Sequence, residues 1–206
     1  MTVTVYTVGH STRTIDDFAV LLEAFALEAL IDVRAIPRSR HYPQYNEDAL
    51  RSSLPAKGIS YARIAGLGGL RRTTSASLNT GWDNVSFRGY ADYMQTSEFT
   101  ASLVQLIRVA RGQRTVIMCA EAVPWRCHRR LIGDALIVRG LRVEDIMTTS
   151  SSPAHRLTPF ARVDAKALSY PRCAGGVRGS QCDARSDARA LGVAGADVTV
   201  RGGSGE

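Results

Sequence analysis

Lysine is nearly missing from this chain: of its 26 basic residues, only Lys57 and Lys166 are not arginine. The four cysteines, Cys119, Cys127, Cys173 and Cys182, include no CxxC pair. That removes the usual signature of a structural zinc site. No apolar run approaches the roughly 20 residues that a membrane helix needs, so no membrane partner is expected. The first ten residues, MTVTVYTVGH, hold neither the basic segment nor the apolar stretch of a secretory signal. A cytoplasmic setting is therefore expected, where thiols stay reduced and a disulfide framework is not. No internal repeat is present.

What remains is ordinary globular material. The chain has 206 residues, 45% of them hydrophobic and 22% charged, enough for one domain with a real core. The net charge is +7. Such a balance invites a nucleic-acid partner, but the arginines are scattered rather than gathered into one basic run.

Short β-type runs alternate with helical patterns over the first 150 residues. Residues 2–8 (TVTVYTV) read as a strand, followed by Gly9 and His10 at a turn. Thr14 caps a helix whose stripe is Ile15, Phe18, Leu21, Leu22 and Phe25. Residues 29–33 (ALIDV) form a second strand. Asn46 caps a helix to about Ala56, ended by Gly58, and residues 59–64 form a weaker third strand. Residues 66–89 are rich in Gly, Ser and Thr and have no period, which suggests a long functional or mobile loop. A short helix at 90–94 follows. Ser97 caps another helix carrying Phe99, Leu103, Leu106 and Ile107. Residues 115–119 are a strand, Pro124 opens a helix to about Arg139, and residues 141–147 are a last strand. The alternation predicts an α/β fold: a mostly parallel, Rossmann-like sheet with helices on both faces, spanning residues 1–171. Residues 172–206 hold eight of the 18 glycines and no aromatic residue, a composition that predicts a disordered tail.

Ligands of open α/β sheets bind beyond the carboxyl ends of the strands. Three predicted turns send polar groups there: His10, Ser11 and Arg13; then Asp32, Arg34, Arg38 and Arg40; then Cys119, Glu121, Cys127, His128 and Arg129. Cys127 is read into the first turn of a helix, where free N–H groups and the dipole favour an anion and lower a thiol pKa. Cys119 ends a strand. Either thiol could be a nucleophile or simply a buried small hydrophobe. Glu121 or His128 could serve as acid or base, and Glu121 is expected to pair with an arginine. The spacing from Cys119 to Arg126 is C-x6-R with a proline and no glycine inside, which does not suit an anion-cradling loop of the phosphatase or rhodanese kind. Adjacent Cys127 and His128 on a helix would diverge by about 100°, so neither a shared metal nor a cofactor is expected.

Several blocks in order, YTVGHSTR (6–13), IDVRAIPRSR (31–40), PQYN (43–46), GLGG (66–69), FRGYADYM (87–94), MCAEAVPWRCHR (118–129) and LTPFARVD (157–164), resemble the DUF488 family. The resemblance spans about residues 3–171. It implies an α/β domain with functional positions at His10, Ser11, Asp32, Arg34, Asn46, Cys119, Glu121, Cys127, His128 and Arg129, and it implies no reaction.

Three functions follow from these residues. An enzyme would bind a polar or anionic small molecule through His10, Ser11, Asp32, Arg34, Arg38, Asn46 and Arg129, with Cys119, Glu121, Cys127 and His128 catalytic. A nucleic-acid-associated binding module would use the arginines on phosphates and stack bases on Trp82, Phe87, Tyr90 and Tyr93. A structural reading has the arginine–carboxylate pairs merely pin loops to strand ends. The oligomeric state is open.

Overall fold

Strand segments that are apolar on both sides must be covered on both faces, and the three central strands of this sheet are such segments. The computed structural model describes residues 2–172. Five strands, β1 (Thr4–Gly9), β2 (Ala29–Asp32), β3 (Ser60–Arg63), β4 (Thr115–Cys119) and β5 (Arg142–Asp145), form one sheet in the order β3-β2-β4-β1-β5. Every pairing in it is parallel. Helices α1 (Ile15–Ala24) and α2 (Glu47–Ser53) cover one face, setting Phe18, Leu22 and Leu50 against Tyr6, Val8, Leu30, Val116 and Met118. Helices α3 (Val85–Tyr93), α4 (Ser97–Gly112) and α5 (Arg129–Ile137) cover the other, where Tyr90, Leu103, Leu106, Leu131 and Leu136 meet Val5, Ile31, Ile117 and Val143. The α/β expectation holds, with all five predicted strands present. No helix among the described residues is long and apolar enough to cross a membrane.

Helix starts differ from the predicted ones for identifiable reasons. Thr14 caps α1 as expected, its hydroxyl accepting from the Asp17 N–H. Asn46 stands at the cap position of α2 but gives it no side-chain bond; its Oδ1 accepts from the Ser39 N–H instead. Thr96, not Ser97, caps α4. Pro124 begins only a three-residue 3-10 turn, and α5 starts at Arg129. Cys127 therefore lies between the two in extended backbone, φ −130° and ψ 148°, outside any helix.

The stretch 66–89 is tied down rather than loose. Asn84 caps α3 by accepting from the N–H groups of Ser86 and Phe87, so the helix begins five residues before the predicted Tyr90. Asp92 on α3 then anchors the segment before it. Its carboxylate accepts from Ser77 Oγ at 2.6 Å, Asn79 Nδ2 at 2.7 Å, and both Thr73 Oγ1 and the Thr74 N–H at 2.9 Å. Burial opposes its charge, but these bonds outweigh burial and hold the carboxyl below its ordinary value.

The segment after β5 docks through a buried cluster that the sequence did not announce. His155 places Nδ1 2.8 Å from Asp145 and Nε2 3.3 Å from Asp134 of α5. Tyr170 donates to Asp134 at 2.9 Å, and Thr7 of β1 to Asp145 at 2.7 Å. Gly133 makes room: a Cβ there would stand 2.8 Å from the imidazole. Between His155 and Tyr170 runs an unpredicted antiparallel hairpin, β6 (Arg162–Asp164) with β7 (Ala167–Ser169). Arg172, the first residue of the predicted tail, pairs with Asp83 at 2.5 Å. The rest of that segment, with Cys173 and Cys182, lies outside the described residues.

Burial alone would lower the His155 pKa, but hydrogen bonds to Asp134 and Asp145 overcome it and push it up to about 9. A folded pKa raised above 6.5 stabilises fully below 6.5, and the contribution fades as pH climbs through about 9. The expected gain is about 3 kcal/mol at low pH. Thermal melts of wild type and His155→Asn across pH 6 to 9 should diverge most at the acidic end and converge toward about pH 9. A constant gap would contradict the charged cluster.

Candidate active site

Strand connectivity opens a crevice between β1 and β4. The chain leaves β1 through α1 on one face and leaves β4 through α5 on the other, although the two strands are neighbours. Diverging connections leave the carboxyl ends free for a ligand. Gly9 pairs with Cys119, and the two chains stay together beyond the strands: His10 N–H donates to Cys119 O and Ser11 N–H to Ala120 O, each at 3.0 Å. The turn after β4 then folds back onto β1. A Cβ at residue 9 would lie 2.0 Å from the Glu121 carbonyl, so only glycine fits. Ser11 takes φ 51°, a left-handed conformation that costs a non-glycine residue and is found at ligand sites.

Arg34 and Asp32 form the floor of the crevice. The two are 5% and 0% exposed, with Arg34 Nη2 2.5 Å from Asp32 Oδ2. Arg34 Nε and its own backbone N–H also reach this carboxylate, and Tyr61 donates to it at 2.8 Å. The remaining guanidinium contacts are the Tyr45 carbonyl at 2.7 Å and His10 Nε2 at 3.5 Å. His10 lies flat on Tyr45, ring centres 4.0 Å apart. Its Nδ1 faces the Ser11 carbonyl at 2.9 Å, and a carbonyl only accepts, so Nδ1 carries the proton and Nε2 offers a lone pair. Burial lowers the His10 pKa to about 4, so the ring is neutral near pH 7. Arg34 is thus engaged by protein on nearly every side. Arg34 also lines the cleft described below, beside His10 and Arg38.

The sulfur cluster stands beside this floor. Cys127 Sγ is 3.6 Å from His128 Nδ1 and 3.4 Å from Arg129 Nε. His128 Nε2 lies 2.9 Å from the Val33 carbonyl. The same logic puts a proton on Nε2 and turns Nδ1 toward the Cys127 sulfur. Arg129 is 1% exposed, yet its hydrogen-bond partners are the Cys127 sulfur and the carbonyls of Glu121 and Ala122 rather than a carboxylate. A buried cation demands a nearby negative charge. The hydrogen bond from Cys119, with His128 and Arg129, outweighs burial and holds the Cys127 thiol well below its ordinary range. Cys119 moves the opposite way, its proton retained by that same bond to Cys127 and by burial.

Other expected positions scatter around this centre. A cleft of about 390 Å³ is lined by His10, Ser11, Arg38, Tyr42 and Glu121, among others. Arg38 is exposed there, an arginine free to meet an anion. Asn46 stays outside the cleft and pins Ser39. Glu121 does not pair with an arginine as expected: Arg129 takes its backbone carbonyl at 2.5 Å, and its carboxylate accepts from the Ala122 N–H at 3.1 Å. Sequence reasoning missed Tyr45, Tyr61 and the Val33 carbonyl; the PQYN block alone hinted at the first. The aromatics proposed to stack bases are already occupied. Trp82 stacks on Phe87 at 4.8 Å, Tyr90 is buried, and Tyr93 lies under Arg71.

Cys119, Cys127 and His128 bring ligand atoms within 4.8 Å of one another, a donor set that a soft cation accepts. The predicted divergence of Cys127 and His128 fails because Cys127 is not helical. Arg129 already occupies the Cys127 sulfur, however, and a further buried cation would lie against it.

The family described as "Domain of unknown function DUF488" matches residues 14–136, which include Asp32, Arg34 and the whole sulfur cluster but not His10 or Ser11. No curated protein and no solved structure matches the chain.

Two substitutions separate the engaged carboxylate from the free one. Asp32→Ala strands the buried Arg34 charge and should cost about 3–5 kcal/mol in urea denaturation. Glu121→Gln keeps the carbonyl that Arg129 uses and should change stability by less than about 0.5 kcal/mol. Equal losses would mean that Arg129 depends on the Glu121 carboxylate.

Proposed function

The chain belongs to the DUF488 family, and from the arrangement of its own side chains we propose that it is a thiol-dependent enzyme acting on a small polar or anionic molecule. The single observation that carries this reading is the Cys127 sulfur between His128 Nδ1 and Arg129 Nε, with the imidazole fixed from behind by Val33. A nucleophilic cysteine needs a base in contact, an orienting group on the far side of that base, and a nearby cation to favour the thiolate. Cys127 has all three.

The roles follow from placement. Exposed Arg38 and the Ser11 hydroxyl hold the anionic or polar end of the substrate in the cleft. His10 is a neutral acceptor at its floor, set by Arg34 and Asp32. Cys127 attacks the electrophilic centre, forming a bond to sulfur while the bond to the leaving group breaks. The thiol proton that Cys127 has given up to His128 Nδ1 passes to that leaving group. Water then releases the bound group, with His128 taking a proton back. Glu121, which lines the cleft, serves as the acid–base group for the incoming water. Only small reacting groups reach the sulfur, because Cys127 is 4% exposed.

Alkylation by iodoacetamide, followed by peptide mass across pH and repeated after chelator treatment, tests this. Cys127 should react as a thiolate with a midpoint well below the free-thiol value of about 8.5, with or without chelator. His128→Gln should move that midpoint upward. A midpoint at or above about 8.5, or reactivity that appears only after chelation, would overturn the proposal.

A further inference from the structure

The reaction above gives Cys119 no chemical task beyond its hydrogen bond, yet its position is specific. Cys119 ends β4 and is partly exposed; Cys127 is buried behind it. Both sulfurs lie in one group of donor atoms within 4.8 Å, and seven residues, 120–126, join them. A thiol and a thiolate in contact are the two partners of a disulfide, short only of two electrons. The electron acceptor must be small to reach a sulfur that is 4% exposed. A peptide-sized or glutathione-sized disulfide does not fit that access, whereas a small hydroperoxide does.

We propose that Cys119 and Cys127 form a dithiol centre that a small hydroperoxide oxidises to an intramolecular disulfide. The proposal rests on the same Cys127 thiolate as the function above and adds to it an activity and a substrate class. The thiolate attacks one peroxide oxygen, and the O–O bond breaks. The departing oxygen takes the proton from His128 Nδ1 and leaves as an alcohol or water, with a sulfenic acid on Cys127. Cys119 sulfur then attacks the sulfenic sulfur; its thiol proton leaves with the hydroxyl as water, and the S–S bond forms. Two thiols lose two electrons, and one peroxide gains them. Arg129 Nε, 3.4 Å from the sulfur, stabilises the charge as it moves between sulfur and oxygen.

The oxidised form has a built-in weakness. A disulfide carries no charge, so it leaves Arg129 buried without an anion. A pair whose reduced form is the stabilised one has an oxidising potential. A simple dithiol should therefore restore it readily. Closing the sulfurs to the roughly 2.05 Å of a disulfide falls to the 120–126 loop, whose one regular piece is the 3-10 turn Pro124–Arg126.

The test uses the full chain with Cys173→Ser and Cys182→Ser, so that only the pair in question can react. Chelator-treated, reduced protein is exposed to stoichiometric hydrogen peroxide and mapped by peptide mass. The expected product is a Cys119–Cys127 cross-linked peptide, lighter by two hydrogens and lost again with dithiothreitol. Adding Cys119→Ser should leave Cys127 as a sulfenic acid that dimedone traps, and Cys127→Ser should abolish both products. Peroxide that yields no cross-link, or that drives Cys127 to sulfinic acid while Cys119 stays a thiol, would overturn the proposal. Iodoacetamide run on the same preparation separates the failures. Low-pH alkylation without cross-linking removes the dithiol centre alone, and loss of both removes the thiolate with it.

Discussion

Arg129 is buried against a sulfur atom, and much of the site is arranged around that contact. The guanidinium enters the protein at the first residue of α5 and meets Cys127 on one side and the Glu121 carbonyl on the other. The carbonyl is available because the turn after β4 folds down onto Gly9, where no side chain intervenes. Neutral carbonyls ease the desolvation of a guanidinium but do not balance its charge. A sulfur anion can. The hydrogen bond from Cys119 does most to favour one at Cys127, with His128 and Arg129 adding to it.

The two buried arginines divide the work. Arg34 has its own carboxylate in Asp32 and makes no demand on its surroundings; it holds His10 and the Tyr45 backbone in place. Arg129 has no carboxylate among its hydrogen-bond partners and imposes its demand on the sulfur. Exposed Arg38 lines the cleft beside Arg34.

Much of this could be read from the chain. Five strands, their parallel order of use and the convergence of three turns on one edge follow from apolar periodicity, because a buried parallel strand has few ways to look otherwise. The local geometry around Cys127 could not. Pro124 suits either a first helical turn or a 3-10 turn, and residue type alone does not choose between them. That one difference converts Cys127 and His128 from diverging neighbours into a pair in contact. The Glu121 expectation failed in a similar way, since residue types do not reveal whether an arginine will take a carboxylate or a backbone carbonyl. The His155 cluster was invisible because its members, Asp134, Asp145 and His155, meet only through tertiary contact. The stretch from 66 to 89 reads as mobile because its order comes from tertiary contacts, among them Asp92, Tyr90 and Tyr93, rather than from any period of its own.

The account stands or falls on the charge of one sulfur. Thiolate ultraviolet absorbance, taken as the difference between the full chain and its Cys127→Ser variant over a pH titration, reads it directly. The account predicts one thiolate that vanishes with Cys127 and persists below about pH 7. A difference spectrum that develops only near the free-thiol value of about 8.5 would contradict it.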